Sequence, residues 1–186
     1  MNIEKMVSDL KSQMLKDKEF FWNHPEPGTK EFETSAYIQK RLKEMGYTNI
    51  NNKIYATGIV ATLKGKEDGP CILFRTDMEE GNNVPFRSVN PHVMHACGHD
   101  AHMSIMLALA NILIKNQDKL KGTVKLLFQP DEEGDAGASK MVANGALENP
   151  KVDKAFAIHV WSELKEDTIG IKEGTVMASS DPYDII

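Results

Sequence analysis

The sequence predicts an α/β fold of three layers, in which a mostly parallel sheet carries helices on both faces. Short apolar segments of strand type alternate along the chain with segments of helical character. One strand segment, residues 71–74, consists only of apolar side chains, which is typical of a strand that is buried on both faces. Such alternation favours parallel strands joined by crossover helices.

Four segments are predicted to be helices. The first two show apolar residues at three- and four-residue spacing, and Gly46 is well placed to cap the second. The third is a long apolar segment, and the fourth is short and is followed by Gly145. The predicted helices cover residues 1–23, 34–45, 99–116 and 138–144.

The predicted strands lie between these helices and after the last one. A turn is predicted at 65–70 and a loop at 78–94. The main strands are predicted at 50–55, 58–63, 71–74, 123–128 and 154–158, with short strands at 168–171 and 175–177 and the start of another at 183–186.

Length and composition narrow the class of protein. The 186 residues suffice for one compact domain, and 41% hydrophobic with 26% charged residues is usual for a globular protein. A net charge of −5 without a basic patch argues against nucleic acid or an anionic membrane as partner. The sequence shows no membrane-length apolar segment and no signal peptide, and two cysteines do not form a disulfide framework. A cytoplasmic location is therefore predicted.

Residues 95–102 hold the densest group of metal-ligating side chains. This stretch, HACGHDAH, contains three histidines, one cysteine and one aspartate. Thiolate and imidazole suit borderline-soft divalent ions, and Gly98 allows the backbone to bend between Cys97 and His99. The alternative is a set of surface histidines beside a buried cysteine. Because Cys/His clusters at ligand spacing are uncommon by accident, we favour a metal site.

Further polar side chains follow the ends of three predicted strands. Asp77 follows the first, Glu132 and Glu133 come after the second, and His159 follows the third. Because functional sites form beyond the carboxyl ends of parallel strands, these side chains are predicted to converge with Cys97. Each alone has a plainer explanation, namely a turn cap, solvated surface glutamates or a partly buried histidine. The joint pattern favours a site.

This pattern is suited to hydrolysis. Two adjacent glutamates in an extended loop point in different directions, so one can bind metal while the other takes a proton from water. The same carboxylic acid can then protonate a leaving amine, which suits cleavage of an amide. The candidate ligands for one or two divalent ions are Cys97, His99, Glu133 and His159.

Six segments carry a resemblance to a known family and occur in the family's order. They are WNHPEPG (22–28), FRTDM (74–78), VMHACGHDAH (93–102), FQPDEEG (128–134), HV (159–160) and GTVMASS (174–180). On these motifs the chain resembles the amidohydrolase and carboxypeptidase branch of the metal-dependent aminoacylase superfamily, which includes hippurate hydrolases and N-acyl-amino-acid deacylases.

The resemblance implies substrates, cofactors and roles. The substrates would be N-acyl amino acids or small peptides. Two divalent ions, of zinc, manganese, nickel or cobalt, would be bound by Cys97, His99, Glu133 and His159. Glu132 would be the general base and acid. Asp77 would not bind the metal itself but would orient one of the metal ligands.

Two departures from the family pattern stand out. The family's Asp-Met-Asp-Ala-Leu-Pro stretch is shortened here to residues 77–82 before the segment 83–86. In addition, residues 1–186 would form only the N-terminal part of the catalytic domain, because the family's lid (dimerisation) domain begins where this sequence ends. The last ligand histidine and a lid histidine would then be absent, fewer than two ions could bind, and an open sheet edge would permit homo-oligomers.

Three functions are therefore considered. The first is a metal-dependent amidohydrolase impaired by truncation, the second a catalytically inactive metal-binding remnant, and the third an interaction module that recruits a partner through its sheet edge. Metal binding and hydrolysis assays distinguish them.

Overall fold

The structure is a computed structural model that describes residues 2–79, 81–82, 93–134 and 136–176. The predicted strand at 183–186, Met177 and the segment 83–86 lie outside the described residues. The helices are α1 (Ile3–Asn23), α2 (Phe32–Met45), α3 (His99–Lys115) and α4 (Gly137–Ala143). The strands are β1 (Ile50–Asn51), β2 (Ile59–Lys64), β3 (Glu67–Asp77), β4 (Gly81–Asn82), β5 (Val93–Met94), β6 (Lys121–Gln129) and β7 (Lys154–Ala157).

The main sheet has five strands in the order β1-β2-β6-β3-β7. β3 pairs in parallel with β6 and with β7, whereas β2 is antiparallel to both β1 and β6. The predicted α/β class is confirmed, and the sheet is mixed, with its parallel part at the β7 side. β4 and β5 form a separate antiparallel pair inside the segment predicted as a loop.

Helices cover both faces of the sheet, as predicted. On one face, side chains of α1, α2 and α3 form the larger core, with Phe21, Leu42 and Leu107 fully buried beside Phe128 of β6. On the other face, Met141 of α4 packs with apolar residues of β2, β3 and β6. Each large apolar side chain buried in this way contributes about 1.5–3 kcal/mol.

A buried carboxylate joins the first two helices. Asp17 of α1 is 2% exposed and accepts hydrogen bonds from the Tyr37 hydroxyl at 2.7 Å and from Nε of Arg41 at 3.0 Å. Its charge is thus paired and hydrogen-bonded, which buried charges require. At the end of α2, Gly46 has φ 105° and its N–H bonds to the carbonyls of Leu42 and Lys43, so the predicted glycine cap is confirmed.

Several element bounds differ from the predictions. β3 begins at Glu67, so part of the predicted turn at 65–70 is strand, and its register with β6 shifts between Glu67 and Cys71. This irregularity accommodates Pro70, which has no N–H to donate. No strand forms at 168–171 or 175–176. Every residue from 153 to 176 is exposed, and the described residues that follow β7 pair with no strand of either sheet.

Within the described ranges, no helix has both the length and the apolar character needed to cross a bilayer.

Candidate metal centre

The predicted site residues lie at one edge of the sheet. β6, β3 and β7 are parallel, so their carboxyl ends meet there, and the first turn of α3 begins at the same edge. Gly98 precedes α3 with φ 85°, a backbone conformation that side chains disfavour. A Cβ atom at Gly98 would lie 2.5 Å from Cγ2 of Val160. The glycine therefore permits the turn that brings Cys97 and His99 toward the loop after β7.

The histidines of α3 are fixed by the core beneath them. His99 is 2% exposed and His102 is 1% exposed, and the next turns of the helix bury Met103 and Leu107 completely. Because packed helices hold side chains more firmly than loops do, these two imidazoles have defined positions.

His99 lies at the centre of the candidate ligands. In each of three groups, one potential ligand atom per residue lies within 4.8 Å of the others, and His99 belongs to all three. The groups are Cys97, His99 and Glu133; Asp77, His99 and Glu132; and His99, His102 and His159. The structure thus brings together every residue that the sequence indicated, although not all of them in one group.

The hydrogen bond of His99 sets the orientation of its ring. Nδ1 lies 2.6 Å from the carbonyl oxygen of Glu79, so Nδ1 donates and Nε2 keeps its lone pair. Nε2 lies 3.8 Å from Oδ2 of Asp77 and 4.0 Å from Oε1 of Glu133. This arrangement, with one nitrogen fixed by a carbonyl and the other aimed at acidic groups, is typical of a ligand histidine.

His102 has both ring nitrogens occupied. Nδ1 donates to Oδ1 of Asp77 at 2.7 Å, and Nε2 accepts the backbone N–H of Val160 at 2.9 Å. The ring therefore joins β3 to the loop that carries His159. Although His102 lies within ligand distance of His99, its lone pair is already used, which distinguishes it from the other histidines of the cluster.

Asp77 is a buried carboxylate surrounded by positive and hydrogen-bonding partners. It is 1% exposed, and Nη1 of Arg75 donates to its Oδ2 at 2.9 Å. Burial by itself would raise its pKa. The hydrogen bond from His102 and the positive charge of Arg75 help to outweigh burial, and the pKa of Asp77 falls to about 2. Asp77 therefore remains ionised and holds His102 in place.

Cys97 and Glu133 face each other. Cys97 is exposed as a residue, yet the environment of its thiol is unfavourable to a thiolate. Desolvation, followed by the hydrogen bond to Glu133 and neighbouring negative charges, raises the pKa of the thiol to about 12. A thiolate at this position needs a positive charge nearby, which a coordinated cation supplies.

The remaining predicted residues lie at the solvent-facing side of the cluster. Glu132 is exposed, and a carboxylate oxygen lies within 4.8 Å of the ligand atoms of Asp77 and His99. His159 is exposed, and its Nδ1 lies 2.6 Å from the carbonyl oxygen of Val160. Nδ1 is thus the donor, and the Nε2 lone pair is available for a ligand.

Sequence reasoning missed two buried glutamates beside the cluster. Glu79 is 1% exposed, its Oε1 accepts the N–H of Glu133, and its Oε2 has no hydrogen-bond partner among the described residues. Burial raises the pKa of Glu79 to about 8. Glu79 follows Asp77 by two residues, a spacing that places two side chains of an extended segment on one side. That spacing was a signal for its position.

The second missed glutamate is Glu31. Glu31 directly precedes α2, and its side chain is fully buried. Its carboxylate accepts the N–H of Asp131 at 3.1 Å and the hydroxyl hydrogen bond of Thr57. Glu31 thereby holds the start of the loop that carries Glu132 and Glu133.

The chain is similar to known proteins over almost its whole length. It is 38% identical to the N-acetyl-L-cysteine deacetylase of Bacillus subtilis over 184 residues, which cover 96% of this chain and 44% of that protein. It is 33% identical to the N-acyl-L-amino acid amidohydrolase of Geobacillus stearothermophilus, with 98% of this chain and 50% of that protein covered. The chain thus spans about half the length of these relatives.

A solved structure and a family match agree with these relatives. The YXEP protein of Bacillus subtilis, described as a dinuclear metal binding peptidase from the M20 family, superposes with a TM-score of 0.81 at 36% identity. The superposition covers 90% of this chain and 47% of that one. Residues 75–184, which include every candidate ligand, match Peptidase family M20/M25/M40. The chain therefore belongs to Peptidase family M20/M25/M40.

Proposed function

We propose that this chain is the metal-binding part of a hydrolase that cleaves the amide bond of N-acyl amino acids or small peptides. The ligands of two divalent ions, of zinc, manganese, nickel or cobalt, are Cys97, His99, Glu133 and His159. The observation that carries the proposal is the meeting of one thiol, one imidazole and one carboxylate within 4.8 Å. Such mixed sulfur, nitrogen and oxygen donors suit these ions.

The orientation and surroundings of the proposed ligand atoms also suit a cation. The Nε2 lone pair of His99 faces Glu133 because Nδ1 is bonded to a carbonyl. Burial first, and then the neighbouring negative charges, raise the pKa of the Cys97 thiol, and Oε2 of Glu79 is buried with no hydrogen-bond partner among the described residues. Both observations are consistent with a position for a cation. When bound, the ions polarise the amide carbonyl and lower the pKa of water.

The roles of the chain's own residues follow from their positions. Glu132 is exposed beside His99, so it can take a proton from the attacking water and return it to the leaving amine. Glu133 is held by its N–H bond to Glu79, so it has a fixed direction toward Cys97. Asp77 keeps His102 oriented, and His102 in turn holds the backbone beside His159.

We propose further that residues 1–186 correspond to the N-terminal part of a catalytic metallohydrolase domain. The coverage of about half of each relative supports this correspondence. Metal content and hydrolysis are measured separately, because an inactive remnant would bind ions without hydrolysing the substrate.

The test is elemental analysis of the purified chain after incubation with zinc or manganese and removal of the excess, followed by an assay with N-acyl amino acids. About two ions per chain are expected by the mechanism. Glu132→Gln should keep the ions and lose hydrolysis, whereas the matched neighbour variant Glu133→Gln should lose ions. Hydrolysis that survives Glu132→Gln would remove Glu132 as the base, and a chain without ions would leave the interaction module as the better function.

One observation favours the function of an interaction module. β7 is an edge strand whose four residues are all exposed, including Phe156 at 51%. Unpaired strand edges recruit other strands, so we propose that a second copy of the chain pairs there. Sedimentation analysis should show dimers that Phe156→Lys reduces and that Phe32→Lys, at a still more exposed phenylalanine outside β7, does not. Monomers in the unaltered chain would refute this.

A further inference from the structure

The loop that carries the proposed base is anchored at the residues on either side of it. The backbone N–H of Asp131 donates to Oε1 of Glu31 at 3.1 Å, and the N–H of Glu133 donates to Oε1 of Glu79. Glu132 lies between these two anchored positions and is itself exposed. Both accepting side chains are buried, Glu31 completely and Glu79 with 1% exposure. Two buried carboxylates from distant parts of the chain therefore fix the backbone on both sides of the base.

Glu31 occupies a position from which a side chain usually caps its own helix. It directly precedes α2, yet its side chain makes no hydrogen bond to the first turn of that helix. Glu26 supplies the cap instead, since its two carboxylate oxygens accept the N–H groups of Glu33 at 3.0 Å and Thr34 at 2.9 Å. The cap from Glu26 thus leaves the Glu31 carboxylate available for the loop at Asp131.

The side chain of Asp131 lies closely between two glycines. A Cβ atom at Gly28 would lie 2.5 Å from Oδ1 of Asp131, and a Cβ atom at Gly134 would overlap the same oxygen. Asp131 is 7% exposed, and its φ of 57° lies in the left-handed region. A residue other than glycine keeps that conformation where its surroundings hold it. Residues 26–31, which include the end of the WNHPEPG motif, therefore contact both the backbone and the side chain of Asp131.

We propose that Glu31 is a positioning residue for Glu132, and that residues 26–31 serve the reaction by fixing the loop that carries the base. This inference rests on the proposed function, because it takes Glu132 as the base. A displacement of about 1 Å at a reacting group lowers a rate by about 100-fold, so the loss of one anchor is enough to reduce turnover. The proposed ligand Glu133 keeps its own anchor on Glu79, so the ions should stay bound.

Amide hydrogen exchange, followed by NMR of the full chain, measures the two anchors separately and requires no turnover. The exchange ratio is the rate for the Asp131 amide divided by the rate for the Glu133 amide. Glu31→Leu removes the acceptor of the Asp131 N–H, so the exchange ratio should rise about tenfold. Glu31→Gln should restore most of the protection, since its amide oxygen accepts the same N–H.

Hydrolysis measures the consequence for the base. In a chain that cleaves N-acyl amino acids, Glu31→Leu should lower kcat by about 10- to 100-fold with KM and metal content unchanged, and Glu31→Gln should recover most of kcat. If Glu31→Leu does not fold, Gly28→Ala displaces Asp131 from the opposite side and should produce the same two effects.

Ser35→Ala is the matched control for a purely structural effect. The buried Ser35 hydroxyl of α2 donates to the carbonyl of Thr57 at 2.7 Å, and Thr57 is also the residue whose hydroxyl donates to Glu31. Its removal should lower the free energy of unfolding but should change neither the exchange ratio nor kcat, because the acceptor of Asp131 is kept.

The outcomes separate this inference from the proposed function. An unchanged exchange ratio in Glu31→Leu, a loss of ions in that variant, or an equal fall of kcat in Ser35→Ala would overturn the positioning role and leave the hydrolase proposal intact. An unaltered chain that hydrolyses no substrate would instead count against the hydrolase proposal. In such a chain a raised exchange ratio in Glu31→Leu, with rescue by Glu31→Gln, would still support Glu31 as the residue that fixes the loop.

Discussion

His102 donates a hydrogen bond over 2.7 Å to the buried Oδ1 atom of Asp77. Through its other nitrogen the same ring accepts the backbone N–H of Val160, the residue after His159. One imidazole thus connects the end of a central strand to the exposed loop that carries a proposed ligand. His102 is a positioning residue by this geometry, because neither of its nitrogens is left for a cation.

His102→Ala should therefore weaken zinc binding although no proposed ligand is removed. Loss of an outer hydrogen-bonding partner lowers metal affinity by about 10- to 100-fold. Competition with a chromophoric chelator measures the change. His24→Gln alters a histidine at the end of α1 that bonds to the carbonyl of Phe20, and it should leave the affinity unchanged. Equal affinities for His102→Ala and the unaltered chain would contradict the positioning role.

The two cysteines provide a matched pair for the thiolate ligand. Cys97 is in the candidate centre, whereas Cys71 is buried in β3 and 4% exposed. Cobalt bound to the unaltered chain should show thiolate charge-transfer absorption in the near ultraviolet. Cys97→Ser should abolish this absorption and Cys71→Ser should retain it, because only a coordinated sulfur produces it. Absorption that survives Cys97→Ser would remove Cys97 from the ligands.

Two glycines with almost the same backbone conformation separate strain from contact. Gly98 has φ 85° and Gly145 has φ 88°, but a Cβ at Gly98 meets Val160 whereas a Cβ at Gly145 meets nothing within 4 Å. Gly145→Ala should cost about 1–2 kcal/mol of unfolding free energy, from the left-handed conformation alone. Gly98→Ala should cost more and should also lower metal affinity. Urea unfolding and chelator competition measure these effects, and equal costs would refute the contact with Val160.

Glu31 should make stability depend on pH. Burial, the largest influence, raises its pKa above the usual 4.5 in the native state. Above pH 4.5 the unfolded carboxyl loses its proton while the native one retains it, so the unfolded state binds fewer protons and stability falls as pH rises. Glu31→Gln removes this slope.

The comparison for Glu31 is Glu33, an exposed residue in the first turn of α2, which Glu31 directly precedes. Urea midpoints measured at increasing pH should flatten for Glu31→Gln relative to the unaltered chain and should stay parallel for Glu33→Gln. Parallel curves for Glu31→Gln would mean that the native carboxyl titrates as it does in the unfolded chain.

The sequence predicted best what depends on local order. The cluster before α3 was recognisable because Cys97, Gly98 and His99 are adjacent, and the helix after them has a long apolar segment. Asp77 and Glu133 could be brought near the cluster by one general rule, that strand ends meet at an edge. Whether these residues ligate, orient or exchange protons stays a prediction.

What the sequence did not reveal depends on pairing through space. Apolar patterns do not encode strand direction, so the antiparallel course of β2 was not anticipated. The two hydrogen bonds of the His102 ring and the burial of the Glu31 side chain arise only when segments far apart in the sequence meet in the fold. The short strand predicted at 168–171 and the described part of the one predicted at 175–177 do not form, since a strand pattern without a partner forms no ladder.

The candidate metal centre lies at one end of the sheet's strands, which leaves the opposite end of the sheet available for attachment. The candidate ligands found among the described residues lie at or after the carboxyl ends of β3, β6 and β7, or just before and within the start of α3. Lys64, at the end of the antiparallel strand β2, is exposed and pairs with Thr123 near the start of β6, so it lies at the other end of the strands. Replacing Lys64 by a residue for selective attachment would let the chain be tethered to a bead or a sensor surface with the thiol and imidazoles facing away from the support.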